Sequence, residues 1–145
     1  MSENTGLAEF RVLLSSTERC VVATVKKDGR PQLSTVDYCW DGDRLLRFST
    51  TVDRAKVHNL RRDPRVSVQV SSPDGASYAV FEGVAELTPV SEAPDDGTVE
   101  ELIDVFREVN GEHPDWDEYR AAMVADRRLV VKVRPDRAYG YIRPT

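Results

Sequence analysis

Three Asp-Gly pairs, Asp28-Gly29, Asp41-Gly42 and Asp74-Gly75, fall within the first 75 residues, and each separates two short strand-like runs. A tight hairpin needs positive φ at its turn, which Asp and Gly adopt at little cost, so these pairs demand antiparallel hairpins. The runs they join read as strands at 20–25, at 32–40 after Pro31, and at 44–50. Further strands follow at 65–71, where Val66, Val68 and Val70 alternate with polar residues, and at 77–87. Gly83, near the middle of the last of these, marks a bulge or a sharp bend. Two closing strands are expected at 129–133 and 138–142. Helical spacing predicts helices over 5–16, 53–62 with Asp53 as N-cap, 98–109 and 116–123. Strands and helices do not alternate, which excludes a doubly wound sheet. The pattern predicts a mainly β fold with flanking helices, a split β-barrel of six to seven antiparallel strands.

At 145 residues with 40% apolar side chains the chain suffices for one core, so 1–145 reads as a single domain. No apolar run is long enough to cross a bilayer, and residues 1–4 lack the basic-then-apolar pattern of a signal peptide, so a cytoplasmic location is expected. Cys20 and Cys39 stand in strand-like surroundings without histidines at metal spacing and read as reduced core residues. A net charge of −5 argues against general nucleic-acid binding.

The positive charge is nonetheless concentrated. Five Arg or Lys residues lie between positions 54 and 65, directly after Ser49-Thr50-Thr51. A strand ending in three hydroxyls that passes into a helical turn carrying Arg54 and Lys56 supplies what a phosphate needs: donors, free first-turn amides and cations. The competing reading is a solvated basic face. Gln32 and Ser34, taken as lying on the hairpin neighbour of the 44–50 strand, would face the same crevice; they can equally be the outward half of an alternating strand.

Three stretches carry a resemblance to a known family. These are Ala-Thr-Val-x-x-Asp-Gly-Arg-Pro-Gln-x-Ser at 23–34, Arg-Ala-Lys-x-x-Asn-Leu-x-x-Asp-Pro-Arg at 54–65 and Tyr-Ala-Val-x-Glu-Gly at 78–83. In this order they resemble the flavin/deazaflavin oxidoreductases of the pyridoxamine-phosphate-oxidase-like split-barrel superfamily. The 93–100 insertion and the 115–123 segment are similar to actinobacterial members that use coenzyme F420, a deazaflavin with a phospholactyl-oligoglutamate tail. The resemblance implies a homodimer with the cofactor at the subunit interface. Its phosphate would be held by Ser49, Thr50, Arg54, Lys56 and Asn59, its ring would lie along Gln32 and Ser34, and Tyr78 would approach from the second subunit, with Trp116 a further candidate.

The implied activity is hydride transfer from reduced F420 to a small organic substrate. The alternatives are an FMN-dependent enzyme and a non-catalytic F420-binding protein. An oligoglutamate tail would profit from the additional charge of Lys26, Lys27, Arg30, Arg61 and Arg62. No side chain stands out as a catalytic nucleophile. His58 reads as a surface residue, and His113, before Pro114 in an acidic loop, reads as a helix boundary without metal-ligand spacing.

Overall fold

A computed structural model describes residues 6–145. The start of the expected opening helix and the residues read against a signal peptide lie outside the described residues. The chain runs α1 (Leu7–Ser16), β1 (Arg19–Val25), β2 (Pro31–Asp37), β3 (Cys39–Trp40), β4 (Leu46–Thr51), α2 (Ala55–Arg62), β5 (Arg65–Ser71) and β6 (Tyr78–Leu87). It closes with α3 (Gly97–Asn110), α4 (Trp116–Ala125) and β7 (Arg128–Tyr141). The seven strands form one antiparallel sheet in the order β2-β1-β5-β6-β7-β4-β3. Among the described residues no helix is long and apolar enough to cross a membrane.

The sheet closes on itself through one residue. Its two outer strands, β2 and β3, are consecutive in sequence and separated only by Tyr38. The hairpin expected between 32–40 and 44–50 is therefore corrected. Pro31–Asp37 pairs with β1 (Val22↔Ser34, Cys20↔Val36), and only Cys39 and Trp40 pair with β4. Tyr38 holds the corner: it is buried, and its hydroxyl shares its one proton between the carbonyls of Leu14 (2.7 Å) and Thr17 (2.9 Å). The change of partner bends the sheet into a barrel, leaving β2 and β4 on opposite sides of a gap.

Two further expectations change. The closing strands merge into β7, which continues through Pro135. Gly83 pairs with Pro135 and Glu82 with Arg137, so Asp136 is the extra residue of a bulge. A bulge tolerates the missing proline N–H that an unbroken ladder would not. Arg54, not Asp53, occupies the N-cap position of α2, in extended conformation. The Asp53 carboxylate instead accepts from Thr51 Oγ1 at 2.7 Å, closing the preceding turn.

Alternation along the strands divides the apolar residues into two cores. Inside the barrel, Val22, Leu46, Phe48, Val68, Val70, Phe81, Leu129, Val131 and Val133 are fully buried, with Cys20 among them. On the outer face of β3 and β7, Cys39 and Val130 pack under Val99, Leu102 and Ile103 of α3 and Tyr119 and Met123 of α4. The two cysteines are thus free, buried and in different cores. Burial pushes the Cys20 thiol up to about 12.

At the bulge, a Cβ on Gly83 would stand 2.6 Å from the carbonyl oxygen of Arg134 and 3.3 Å from Pro135 Cα. Both neighbours are backbone and cannot rotate away. Gly83→Ala is therefore expected to lower stability by about 1–3 kcal/mol in urea unfolding. An unchanged midpoint would show that the two strands do not approach this closely.

Candidate functional site

β4 carries the alternation to its end. Leu46 and Phe48 point into the barrel, and Ser49, opposite the outward Val130, points toward α3 and α4. The chain then turns at Thr51-Val52-Asp53 and enters α2, where the Val57 amide donates to the Arg54 carbonyl at 3.0 Å and those of Ala55 and Lys56 precede the first helical hydrogen bond. Facing this junction across the gap is β2, whose edge away from β1 has no strand partner among the described residues. Between them lies a cleft of about 660 Å³. Ser34, Val36 and Asp37 line one side, Ser49, Thr50, Arg54 and Lys56 the other, and Phe106, Val109, Tyr119 and Met123 form an apolar wall.

Lys56 is the unusual member. Only 8% exposed, it forms no ion pair among the described residues, and neither does Arg54 beside it. Burial, with a smaller contribution from the Arg54 charge, holds the Lys56 ammonium below the usual lysine range. A buried cation is normally compensated by an anion. Opposite, Ser34 Oγ is buried without a hydrogen-bond partner. An uncompensated lysine, a second cation and an orphaned hydroxyl around one cleft fit an anionic, hydrogen-bonding ligand. The apolar wall fits a ring system attached to it.

The expected site residues are only partly brought together. Ser34, Ser49, Thr50, Arg54 and Lys56 line the cleft. Ser34 and Gln32 are not the outward half of β2: their register partners Val22 and Thr24 are buried, so both face inward. Gln32 lies off the cleft lining, within reach of Thr24 Oγ1 at 3.3 Å. Buried Asn59 donates to Thr24 Oγ1 (3.1 Å) and accepts from Arg62 Nη2 (3.1 Å), bridging α2 to β1. Tyr78 sits on the outer face of the sheet opposite Tyr141, alongside exposed Leu33, Val84 and Tyr139.

Of the additional basic residues, none lines the cleft. Lys26, Lys27 and Arg30 lie in or beside the β1–β2 turn, and Arg62 donates to the Val25 carbonyl at 2.6 Å. Trp116 belongs to an aromatic group with Phe106, His113 and Tyr119 behind the wall, and Arg107 lies 4.8 Å over its ring. His113 Nδ1 accepts from the Asp115 amide at the start of α4, and His58 is exposed. Among the described residues no cluster of three metal-ligating side chains exists.

The apolar wall and three charged residues, Asp37, Asp126 and Arg128, were not expected at the site. Phe106 was legible only as part of a buried helical stripe. Arg128, which donates to Ser49 Oγ at 3.0 Å, belongs to no motif.

A family model described as pyridoxamine 5'-phosphate oxidase matches residues 7–141. Among solved structures, the chain is similar to an F420 reductase at 28% identity, covering 96% of this chain and 98% of that one with a TM-score of 0.66. A conserved hypothetical protein from Mycobacterium tuberculosis is 28% identical, over 97% and 84% of the two chains, with a TM-score of 0.70. An FAD-binding protein from Mesorhizobium loti, 20% identical over 92% and 90%, shares the fold with a TM-score of 0.64.

Proposed function

Because the chain belongs to the pyridoxamine 5'-phosphate oxidase family, we propose that its cleft binds coenzyme F420 and that the protein is an oxidoreductase acting on a small organic substrate. The observation that carries the reading is Lys56, buried, uncompensated and adjacent to Arg54 at a strand-to-helix junction. The likeness to an F420 reductase over nearly the whole of both chains supports the deazaflavin over FMN.

In this reading the residues divide the work. Arg54 grips two phosphate oxygens with its planar fork, and Lys56 adds a point charge. Ser49, Thr50 and the amides of Ala55 and Lys56 donate to the remaining oxygens. Ser34 gives its hydroxyl to the ring edge, and Phe106, Val109 and Met123 exclude water from one ring face. When bound, the reduced deazaflavin supplies the hydride; the protein supplies binding, orientation and a dry wall. A second copy of the chain completes the other side, covering the exposed Leu33, Val84, Tyr139 and Tyr141 and bringing its Tyr78 toward the cleft. These four side chains lie on one sheet face and are more than half exposed, an arrangement costly to leave in water.

The test is fluorescence titration of the purified protein with F420 and with FMN, after its mass in solution has been measured. F420 is expected to bind a dimer at least about tenfold more tightly than FMN, a difference of about 1.4 kcal/mol. Failure of both ligands to saturate overturns the reading. Tighter binding of FMN transfers the site to the flavin.

A further inference from the structure

Arg128 opens β7 and stands opposite Thr51, two positions before Val130, the register partner of Ser49. Its side chain lies on the same outward face as Ser49, beneath α4, and lines the cleft with Arg54 and Lys56. Nη1 donates to Ser49 Oγ at 3.0 Å. Although Asp126 lies only two residues away in the same lining, Arg128 forms no ion pair among the described residues.

A serine hydroxyl has one proton and two lone pairs, and a guanidinium can only donate. With Arg128 donating to it, Ser49 Oγ is committed as an acceptor on that side, and its single proton must point elsewhere. The elsewhere available to Ser49 is the cleft. The hydroxyl also becomes a better donor, because a cation held against its lone pair polarises the O–H bond. The guanidinium keeps further N–H donors beyond the one Ser49 uses.

We propose that Arg128 is a positioning residue of the anion site, turning the Ser49 O–H into the cleft to donate to a ligand phosphate and adding a third cation behind it. This rests on the phosphate-binding reading of the cleft and goes beyond it in assigning the residue that sets the polarity of Ser49. It also explains why an arginine stands half-buried at the start of β7 without an acidic partner among the described residues.

The test compares coenzyme F420 with 8-hydroxy-5-deazariboflavin, which has the same ring and ribityl chain but no phosphate. Affinities are measured for the native chain, Arg128→Met, Arg128→Lys, Ser49→Ala and the Ser49→Ala/Arg128→Met pair. Arg128→Met is expected to weaken F420 by about 10- to 100-fold, the range of a charge-assisted hydrogen bond. Arg128→Lys, which keeps the charge and loses the fork, falls between it and the native chain. The phosphate-free ligand changes by less than about twofold with every variant, which also shows that the variants are folded. Because Arg128 acts through Ser49, its substitution costs at least about threefold less in the Ser49→Ala background.

Equal losses for both ligands, or independent effects of the two substitutions, overturn the proposal. Should Arg128→Met not fold, Arg128→Lys combined with Ser49→Ala completes the same cycle. The two readings fail differently. F420 binding that ignores Arg54→Ala/Lys56→Ala removes the phosphate site altogether. Binding that responds to that pair and ignores Arg128 removes only the positioning role.

Discussion

Arg54→Ala/Lys56→Ala is expected to weaken F420 by about 10²- to 10⁴-fold, since two charge-assisted contacts contribute about 1.5–3 kcal/mol each. The free protein should not lose stability in proportion. Lys56 is buried with no ion-pair partner among the described residues and with Arg54 adding like charge, so the ligand-free fold carries a partly desolvated cation. Lys56→Met, which keeps the stem and removes the charge, should therefore raise the melting temperature while abolishing tight binding. The pH dependence follows from the direction of the shift. In the free fold the Lys56 pKa lies below that of the unfolded chain, an ordinary lysine near about 10.4. Below the folded value the lysine is protonated in both states and the full penalty is present. As pH climbs from the folded toward the unfolded value, the unfolded chain binds more protons and the fold gains stability. Binding moves in the opposite sense, because the anion needs the ammonium, so affinity falls as pH rises through the lowered pKa. Thermal melts and F420 titrations of native and Lys56→Met protein at neutral and alkaline pH measure both slopes. A Lys56→Met protein that is less stable than the native one, or that binds F420 as tightly, contradicts this account.

What the residues disclosed in advance was the chemistry that acts locally. At Asp28-Gly29 and Asp74-Gly75 the chain turns as expected, but only the glycines take positive φ, 89° and 75°, while the aspartate carboxylates accept from the Arg30 and Ala76 amides. Gly83 sits at the register shift its position suggested. The junction from Ser49 to Lys56 was visible because hydroxyls, cations and a helix start are contiguous there. What escaped was non-local. Nothing around Tyr38 announces that the strand exchanges β1 for β4, since an alternating pattern is the same whichever neighbour it pairs with. The closing strands at 129–133 and 138–142 read as separate because the bulge that carries β7 through Pro135 depends on Gly83, 52 residues earlier. Asn59 had the polarity of a ligand contact, but Arg62 one helical turn on occupies its oxygen and Thr24, a neighbour only in the fold, accepts from its amide N–H. The apolar wall reads as an ordinary helix core because Phe106 and Tyr119 do pack as one, while also facing the cleft. The family resemblance told of a phosphate-bearing cofactor; Lys56 gave that idea a physical basis.

The largest stability loss is expected away from these charges, at Phe48→Ala. Phe48 is fully buried on β4, opposite Val131 and immediately before Ser49 and Thr50. Truncation removes the transfer energy of the ring and leaves a cavity under a strand held along its whole length by pairing with β7, which cannot collapse freely. The cost is about 3–5 kcal/mol, a large share of the roughly 5–15 kcal/mol that holds a domain together. For a chain of this length that is a fall of about 10–20 °C in melting temperature. Phe48→Leu, closer in volume, should cost less than about 1.5 kcal/mol. The comparison with Arg54→Ala/Lys56→Ala separates the two jobs of β4. The cation pair lies where the strand meets the cleft and governs affinity; Phe48 lies on the opposite face and governs whether the strand is there to present it. Ligand at 100 times its dissociation constant stabilises a folded site by about 2.7 kcal/mol. F420 should therefore recover much of what Phe48→Ala loses and nothing in the cation variant. If F420 fails to raise the melting temperature of Phe48→Ala although it does so for the native chain, the barrel face and the cleft face of β4 are not separable in this way.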